Sequence, residues 1–359
     1  METNQNNNDS IKILLTGDFC PINRIEDLAV KKEFDALFND FIEVLRGNDL
    51  NITDLECPLT LSDNARPKIG PHQKAHPDTV LALKYAGFNV VALANNHIMD
   101  YDHEGAAETV DLLRKYNINT IGIGRSEEEA AKPYTILIKD KKVALMNFAD
   151  NEFITSTDSS WRCNAVNPLQ LYSNIKEFRE KYDYIVVVVH GGNEFYKLPS
   201  PRIKKLYRFI IDLGADALIS HHTHAFSGFE IFKSKPIFYG LGNFLYDWPD
   251  KRNEAWNRGY VVKLSLSDRV DFEIIPLKQG NDQPGVFLLD ESEQEHFRKE
   301  IEHLNRIIED DAQLEMEFVK YCNSLYPVYD SYIEPAFGRY ISWLRNRRLF
   351  PRFMSKRKR

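Results

Sequence analysis

The chain has 359 residues, 43% hydrophobic and 28% charged, proportions that exclude a wholly disordered chain, a collagen-like repeat and a disulfide mini-protein. Its 46 basic and 53 acidic residues leave a net charge of −7, so the protein as a whole is not a polycation built for nucleic acid. Four scattered cysteines (Cys20, Cys57, Cys163, Cys322) show no Cys-x-x-Cys spacing and read as reduced thiols. No apolar run approaches the ~20 residues of a membrane-spanning helix.

Residues 1–10 are polar and Asn-rich, lack the apolar run of a secretory signal, and are expected to be disordered. From residue 11, short apolar runs alternate with amphipathic stretches, the pattern of an α/β fold. Strands are predicted at Ile11–Thr16, Leu50–Asp54, Asn89–Ala94, Asn119–Ile123, Val143–Phe148, Tyr184–Val189, Ala217–Ser220 and Ile237–Tyr239. Several are apolar on both faces, as buried strands are. Helices are predicted at Thr79–Tyr85, Glu104–Tyr116 and Ile203–Leu213, and Ser126 with Glu129 fits a capping box. Gly259–Leu266 and Val270–Pro276 read as a closing hairpin turning at Ser267-Asp268. Ser292-x-x-Glu295 is expected to cap a helix with Phe297, Ile301, Leu304 and Ile308 on one face. This divides the chain into a domain over 11–280, a helical appendage over 281–344 and a basic tail over 345–359. The tail holds eight basic residues and no acidic one, against 38 basic and 53 acidic in the remainder. It reads either as a solvated tail or, with Phe350, Phe353 and Met354, as a patch that docks on anionic lipid or an acidic partner.

The acids and imidazoles fall at the ends of predicted strands. Asp18 follows the first, Asp54 and Glu56 the second, and Asn95-Asn96-His97 with Asp100 the third. His190-Gly191-Gly192 follows the valine-rich strand, Ser220-His221-His222-Thr223-His224 the next, and Leu241-Gly242-Asn243-Phe244 the last. Ligands of open α/β sheets bind beyond the carboxyl ends of strands, where residues distant in sequence converge. Carboxylate, imidazole and amide oxygen together form a donor set for divalent transition metals or manganese.

In this order, Gly17-Asp18, Leu55-Glu56-Cys57-Pro58-Leu59-Thr60, Asn95-Asn96-His97 with Asp100, His190-Gly191-Gly192, His221-His222-Thr223-His224 and Leu241-Gly242-Asn243-Phe244 resemble the CapA family. These are bacterial capsule or poly-γ-glutamate synthesis proteins within the calcineurin-like metallophosphoesterase superfamily. The resemblance covers residues 11 to 248 and implies a β-sandwich flanked by helices (αββα). It also implies two divalent ions (Mn, Zn or Fe). Asp18 and His224 would bind the first metal, Glu56 would bridge, and Asn96, His190 and His222 would bind the second. His97 would be the general acid for a hydroxide activated by the two metals. Arg24, Glu194 and Asn243 match further family positions and are expected to shape the substrate pocket, with His221 beside them.

Cys20 stands where the wider superfamily carries a histidine, and reads as a buried thiol or a soft ligand. Asp54 rivals Glu56 for the bridge. The resemblance implies a phosphoesterase-type hydrolase tied to an anionic polymer. The alternative is a non-catalytic accessory subunit of a membrane-bound polymer synthase or exporter. The expected location is cytoplasmic, with contact at the inner membrane face through the tail. The expected partner is a phosphorylated or anionic polymer-related substrate. No specific nucleic acid is expected, since no basic stripe with interleaved aromatics runs through the body.

Overall fold

A computed structural model of the chain describes residues 10–150, 160–252, 255–280, 282–333, 340, 343–344 and 347. Its strands, in chain order, are β1 (Ile11–Cys20), β2 (Leu50–Leu55), β3 (Val90–Ala92), β4 (Asn119–Ile121), β5 (Ile123–Gly124), β6 (Tyr134–Ile138), β7 (Lys141–Ala149) and β8 (Arg162–Cys163). They continue with β9 (Tyr184–His190), β10 (Ala217–His221), β11 (Phe229–Phe232), β12 (Lys235–Phe238), β13 (Asn243–Tyr246), β14 (Arg258–Leu266), β15 (Val270–Gln279) and β16 (Val286–Leu288). The helices that matter below are α1 (Val80–Tyr85), α2 (Asp102–Lys115), α3 (Pro168–Arg179), α4 (Pro201–Leu213), α5 (Glu291–Glu309) and α6 (Asp311–Ile333).

Two mixed sheets form the centre. The first runs β16-β15-β14-β1-β2-β3-β4, with β13 also paired to β1; the second runs β11-β12-β10-β9-β7-β6. Successive side chains of a strand alternate between faces. Ile13 and Leu15 accordingly enter a core shared with Val143, Val186, Leu218 and Ile237 of the second sheet. Leu14 faces the other way, into a second core with Val80 and Leu83 of α1 and Val110 and Leu113 of α2. Leu171 and Ile175 of α3 and Tyr207 and Ile210 of α4 join the first core. The result is the sandwich flanked by helices, with both faces of β1 buried.

The structure corrects several boundaries. β1 continues to Cys20 because β13 pairs with its end, with Asp18 opposite Asn243, so Asp18 lies within the strand and not after it. The strand read as Asn119–Ile123 divides at Gly122, whose φ of +85° turns the chain; Ile123–Gly124 pairs instead with β8. α5 is capped by Asp290, two residues before the expected Ser292. Asp290 accepts from the Glu293 amide (2.8 Å) and Glu293 accepts from the Asp290 amide (3.0 Å), a complete capping box that pre-empts the equally spaced Ser292 and Glu295. The stretch read as a helical appendage from 281 opens with β16, which extends the first sheet. Its first helix is part of the main core: Phe297, Ile301, Leu304 and Ile308 are buried, and the Phe297 ring lies 4.9 Å from that of Phe226. No described helix is long and apolar enough to cross a membrane. The N-terminal residues 1–9 and the tail, apart from Arg347, lie outside the described residues.

Candidate metal centre

The topology brings the strand ends together. Asp18 and Asp54 are register partners on β1 and β2. His190 and His221 are register partners at the ends of β9 and β10. His222 and His224 follow in a turn where both take positive φ, 84° and 52°, a backbone that side chains other than glycine adopt at a cost of about 1–3 kcal/mol. Asp18, Asp54, Glu56, Asn96, His97, His190, His221, His222 and His224 are all buried. Their ligand atoms form three groups, each within 4.8 Å: Glu56, His222 and His224; Asp18, Asp54 and His221; and Asp54, Glu56 and His190.

Glu56 is the anomaly of the cluster. Neither carboxylate oxygen has a hydrogen-bond partner among the described residues, although His224 Nε2 and His190 Nε2 lie 3.5 and 3.6 Å from Oε1. A buried carboxylate without hydrogen bonds is costly unless a cation lies beside it. Burial, then repulsion from Asp18 and Asp54, push its pKa well above the usual carboxylate range. Burial likewise raises Asp54 to about 6, against the pull of the His221 imidazole and the Asn95 amide. His190 is driven well below its ordinary value by burial and by the neighbouring His222, which leaves a neutral ring able to donate a lone pair. Buried carboxylates facing imidazoles form a donor set that fits divalent cations.

The second layer aims the rings. His190 Nδ1 lies 2.6 Å from Asp54 Oδ2, so its proton sits on Nδ1 and Nε2 faces Glu56 and Asn96 Oδ1, the latter at 2.9 Å. His224 Nδ1 lies 3.0 Å from Asn243 Oδ1 and 3.2 Å from Asp18 Oδ2, with Nε2 toward Glu56. His221 donates from Nε2 to the Thr16 carbonyl (2.9 Å), and its Nδ1 has no hydrogen-bond partner among the described residues. Such outer bonds fix the tautomer of a metal-binding histidine. His97 stands apart. Its Nδ1 is 2.7 Å from Asp100 Oδ2, and burial holds its pKa below the ordinary value despite that bond.

Thus Asp18, Glu56, Asn96, His190, His222 and His224 come to one place, and His221, expected beside the pocket, lies there with Asp18 and Asp54. Asn243 also differs from its expected pocket role. Its amide is committed to His224 on one side and to the Trp256 carbonyl (3.0 Å) on the other. Arg24 is engaged by Asp247 (2.8 Å) and the Gly280 carbonyl (2.6 Å). Glu194 is exposed on the loop after β9, near enough to raise Glu56. Cys20 is wholly buried with its thiol pushed up by burial and by Cys57, and no cysteine enters the three ligand groups. The sequence reading missed Lys68, whose ammonium pairs with Asp100, and the Asp54–His190 contact. The chain order carries no signal for either.

The family model described as "Bacterial capsule synthesis protein PGA_cap" matches residues 12–248. A capsule biosynthesis protein CapA of Bacillus anthracis is 27% identical over 301 residues, covering 79% of this chain and 72% of that protein. A PGA biosynthesis protein CapA of Bacillus subtilis (strain 168) is 27% identical over 299 residues, covering 82% and 78%. Among solved structures, a 5′-nucleotidase precursor from Thermus thermophilus aligns at 12% identity with a TM-score of 0.40, over 81% of this chain and 57% of that one.

Proposed function

The chain belongs to the bacterial capsule synthesis protein (PGA_cap) family, and on that basis we propose that it is a metal-dependent, phosphoesterase-type hydrolase serving capsule or poly-γ-glutamate biosynthesis. The observation that carries the reading is Glu56, whose buried oxygens lack hydrogen bonds amid imidazoles and carboxylates. Asp18, Glu56 and His224 would hold one cation; Glu56, Asn96, His190 and His222 would hold the other, with Glu56 shared. When bound, such a pair supplies positive charge to a phosphoryl group and acidifies a water.

The chain's own residues do the rest. Asp54 holds the Nδ1 proton of His190, and Asn243 fixes the ring of His224. Asp100 accepts from His97 Nδ1, so that the ring, once a second proton is on Nε2, delivers that proton to the departing oxygen and returns to the neutral Nδ1–H form. Burial lowers the pKa of the doubly protonated ring, which makes that form a stronger acid than a free imidazolium.

The test joins elemental analysis to a phosphoester screen on wild type and His97→Ala. The variant should retain its metal, yet cleave a poor leaving group about 10²–10⁴-fold more slowly, with a good leaving group little affected. Equal loss for both would remove His97 from the acid role.

A second reading has its own support. A buried thiol at Cys20 in place of an imidazole ligand, and the basic tail, favour an accessory subunit that keeps the metal and assists a membrane-bound polymer synthase or exporter. Stoichiometric metal without turnover on any phosphoester would select it.

A further inference from the structure

Lys68 is placed against expectation. It lies near the tip of the segment joining Thr60 to Ala75, where its apolar neighbour Ile69 is 84% exposed while the lysine side chain is only 3% exposed. A stretch that folded only to hide apolar surface would do the reverse. The Lys68 ammonium pairs with Asp100 Oδ1 and stands 3.2 Å from His97 Nδ1. The other oxygen, Asp100 Oδ2, accepts from His97 Nδ1 (2.7 Å) and from the Gln73 backbone amide (2.7 Å). The Arg66 amide donates to the Asp100 carbonyl (3.0 Å). The base of the segment is closed by a two-residue bridge between Leu59 and Ala75. The same segment walls a cavity of about 500 Å³ with Pro71, His72, Gln73 and Lys74, facing Glu26 and Trp248.

We infer that Lys68 is a positioning residue that acts on His97 through Asp100, and that the segment carrying it joins the neighbouring cavity to the proton-donating ring. The role in proton donation rests on the hydrolase reading above. The geometry of the relay does not. A carboxylate with two acceptor oxygens can turn and slip. With the Lys68 ammonium spent on Oδ1 and the Gln73 amide on Oδ2, Asp100 holds Oδ2 2.7 Å from His97 Nδ1, closer than Lys68 comes, which draws the ring proton to Nδ1 and presents Nε2. The lysine also compensates the charge of the buried carboxylate.

The variants are Lys68→Met, which keeps the stem and removes the charge, and Lys68→Arg, which keeps the charge. Nitrogen NMR of histidine-labelled full-length protein reads the tautomer of His97, assigned by its loss in His97→Ala. Wild type should show one tautomer, protonated on Nδ1. Lys68→Met should show a mixture, and Lys68→Arg should restore the single form. If the protein turns over a phosphoester, Lys68→Met should lower kcat for a poor leaving group about 100-fold, with KM and metal content within about 2-fold of wild type. An unchanged tautomer in a folded Lys68→Met, or a raised KM with kcat intact, would overturn the inference. A changed tautomer in a protein without turnover would uphold the relay and reject the hydrolase reading. Should Lys68→Met not fold, an Asp100→Asn variant with Lys68 intact tests the same link, and a single unchanged Nδ1 tautomer there would overturn it.

Discussion

Glu56 concentrates the energetics of the site. Its two buried oxygens lack hydrogen bonds, and its pKa is raised by burial and by Asp18 and Asp54. In metal-free protein this is an uncompensated group, and removing it should relieve strain. Glu56→Gln is therefore expected to lose most of its bound metal by elemental analysis, while its melting temperature in chelator equals or exceeds that of wild type. A lower melting temperature in chelator would mean that Glu56 is satisfied without a cation. Asp247 shows the opposite electrostatics. Burial alone would raise its pKa, but hydrogen bonds from Arg252 and Arg24 outweigh it and hold the carboxyl below its usual value. A depressed carboxyl contributes stability above the unfolded value of ~3.9 and loses it as pH falls through the folded value. Asp247→Asn should cost about 2 kcal/mol at pH 7, and the gap to wild type should close as pH falls through the lowered carboxyl value in denaturant titrations. A gap that persists in acid would assign the loss to packing. The donors themselves were legible from residue types placed after apolar strands. Their partners were not: Asn243 with His224, Arg24 with Asp247 and Lys68 with Asp100 are long-range or irregular contacts that leave no periodic trace.

Among the elements, β1 places the site by accepting three neighbours, β2, β13 and β14. Gly17 permits the close approach of β13, since a Cβ there would meet the Gly242 carbonyl oxygen at 1.9 Å. Gly17→Ala must push β13 outward and carry Asn243 and the ring it fixes with it. The expected result is a folded but less stable protein with weakened metal binding, by calorimetric titration with Mn²⁺; wild-type affinity would show that β13 does not set the site. Short apolar runs and helical apolar periodicity made most strands and helices readable, because both faces of the central strands and one stripe of each helix are buried. The failures have local causes. Gly122 breaks an apolar run that reads as continuous, Asp290 competes with a second capping pattern two residues on, and β16 is too short to show a period.

Taken as a molecule, the protein is an acidic body with a basic, aromatic-bearing tail. That separation of charge follows from sequence alone. The accessory reading uses it: the tail is expected to bring the protein to vesicles containing phosphatidylglycerol and not to neutral ones, with binding that fades as salt is raised. Sedimentation with and without residues 345–359 checks this, and equal binding by the truncated chain would contradict it. The sandwich was readable as an α/β pattern, but the pairing order of its sheets was not, since β13 joins β1 across more than 220 residues of chain. The decisive experiment is anomalous diffraction at the manganese edge from crystals grown with Mn²⁺. A two-metal site shared by Glu56 requires two peaks ~3.5–4 Å apart, on either side of the Glu56 carboxylate and within reach of Asp18, Asn96, His190, His222 and His224. Density elsewhere, with none between these side chains, would contradict it.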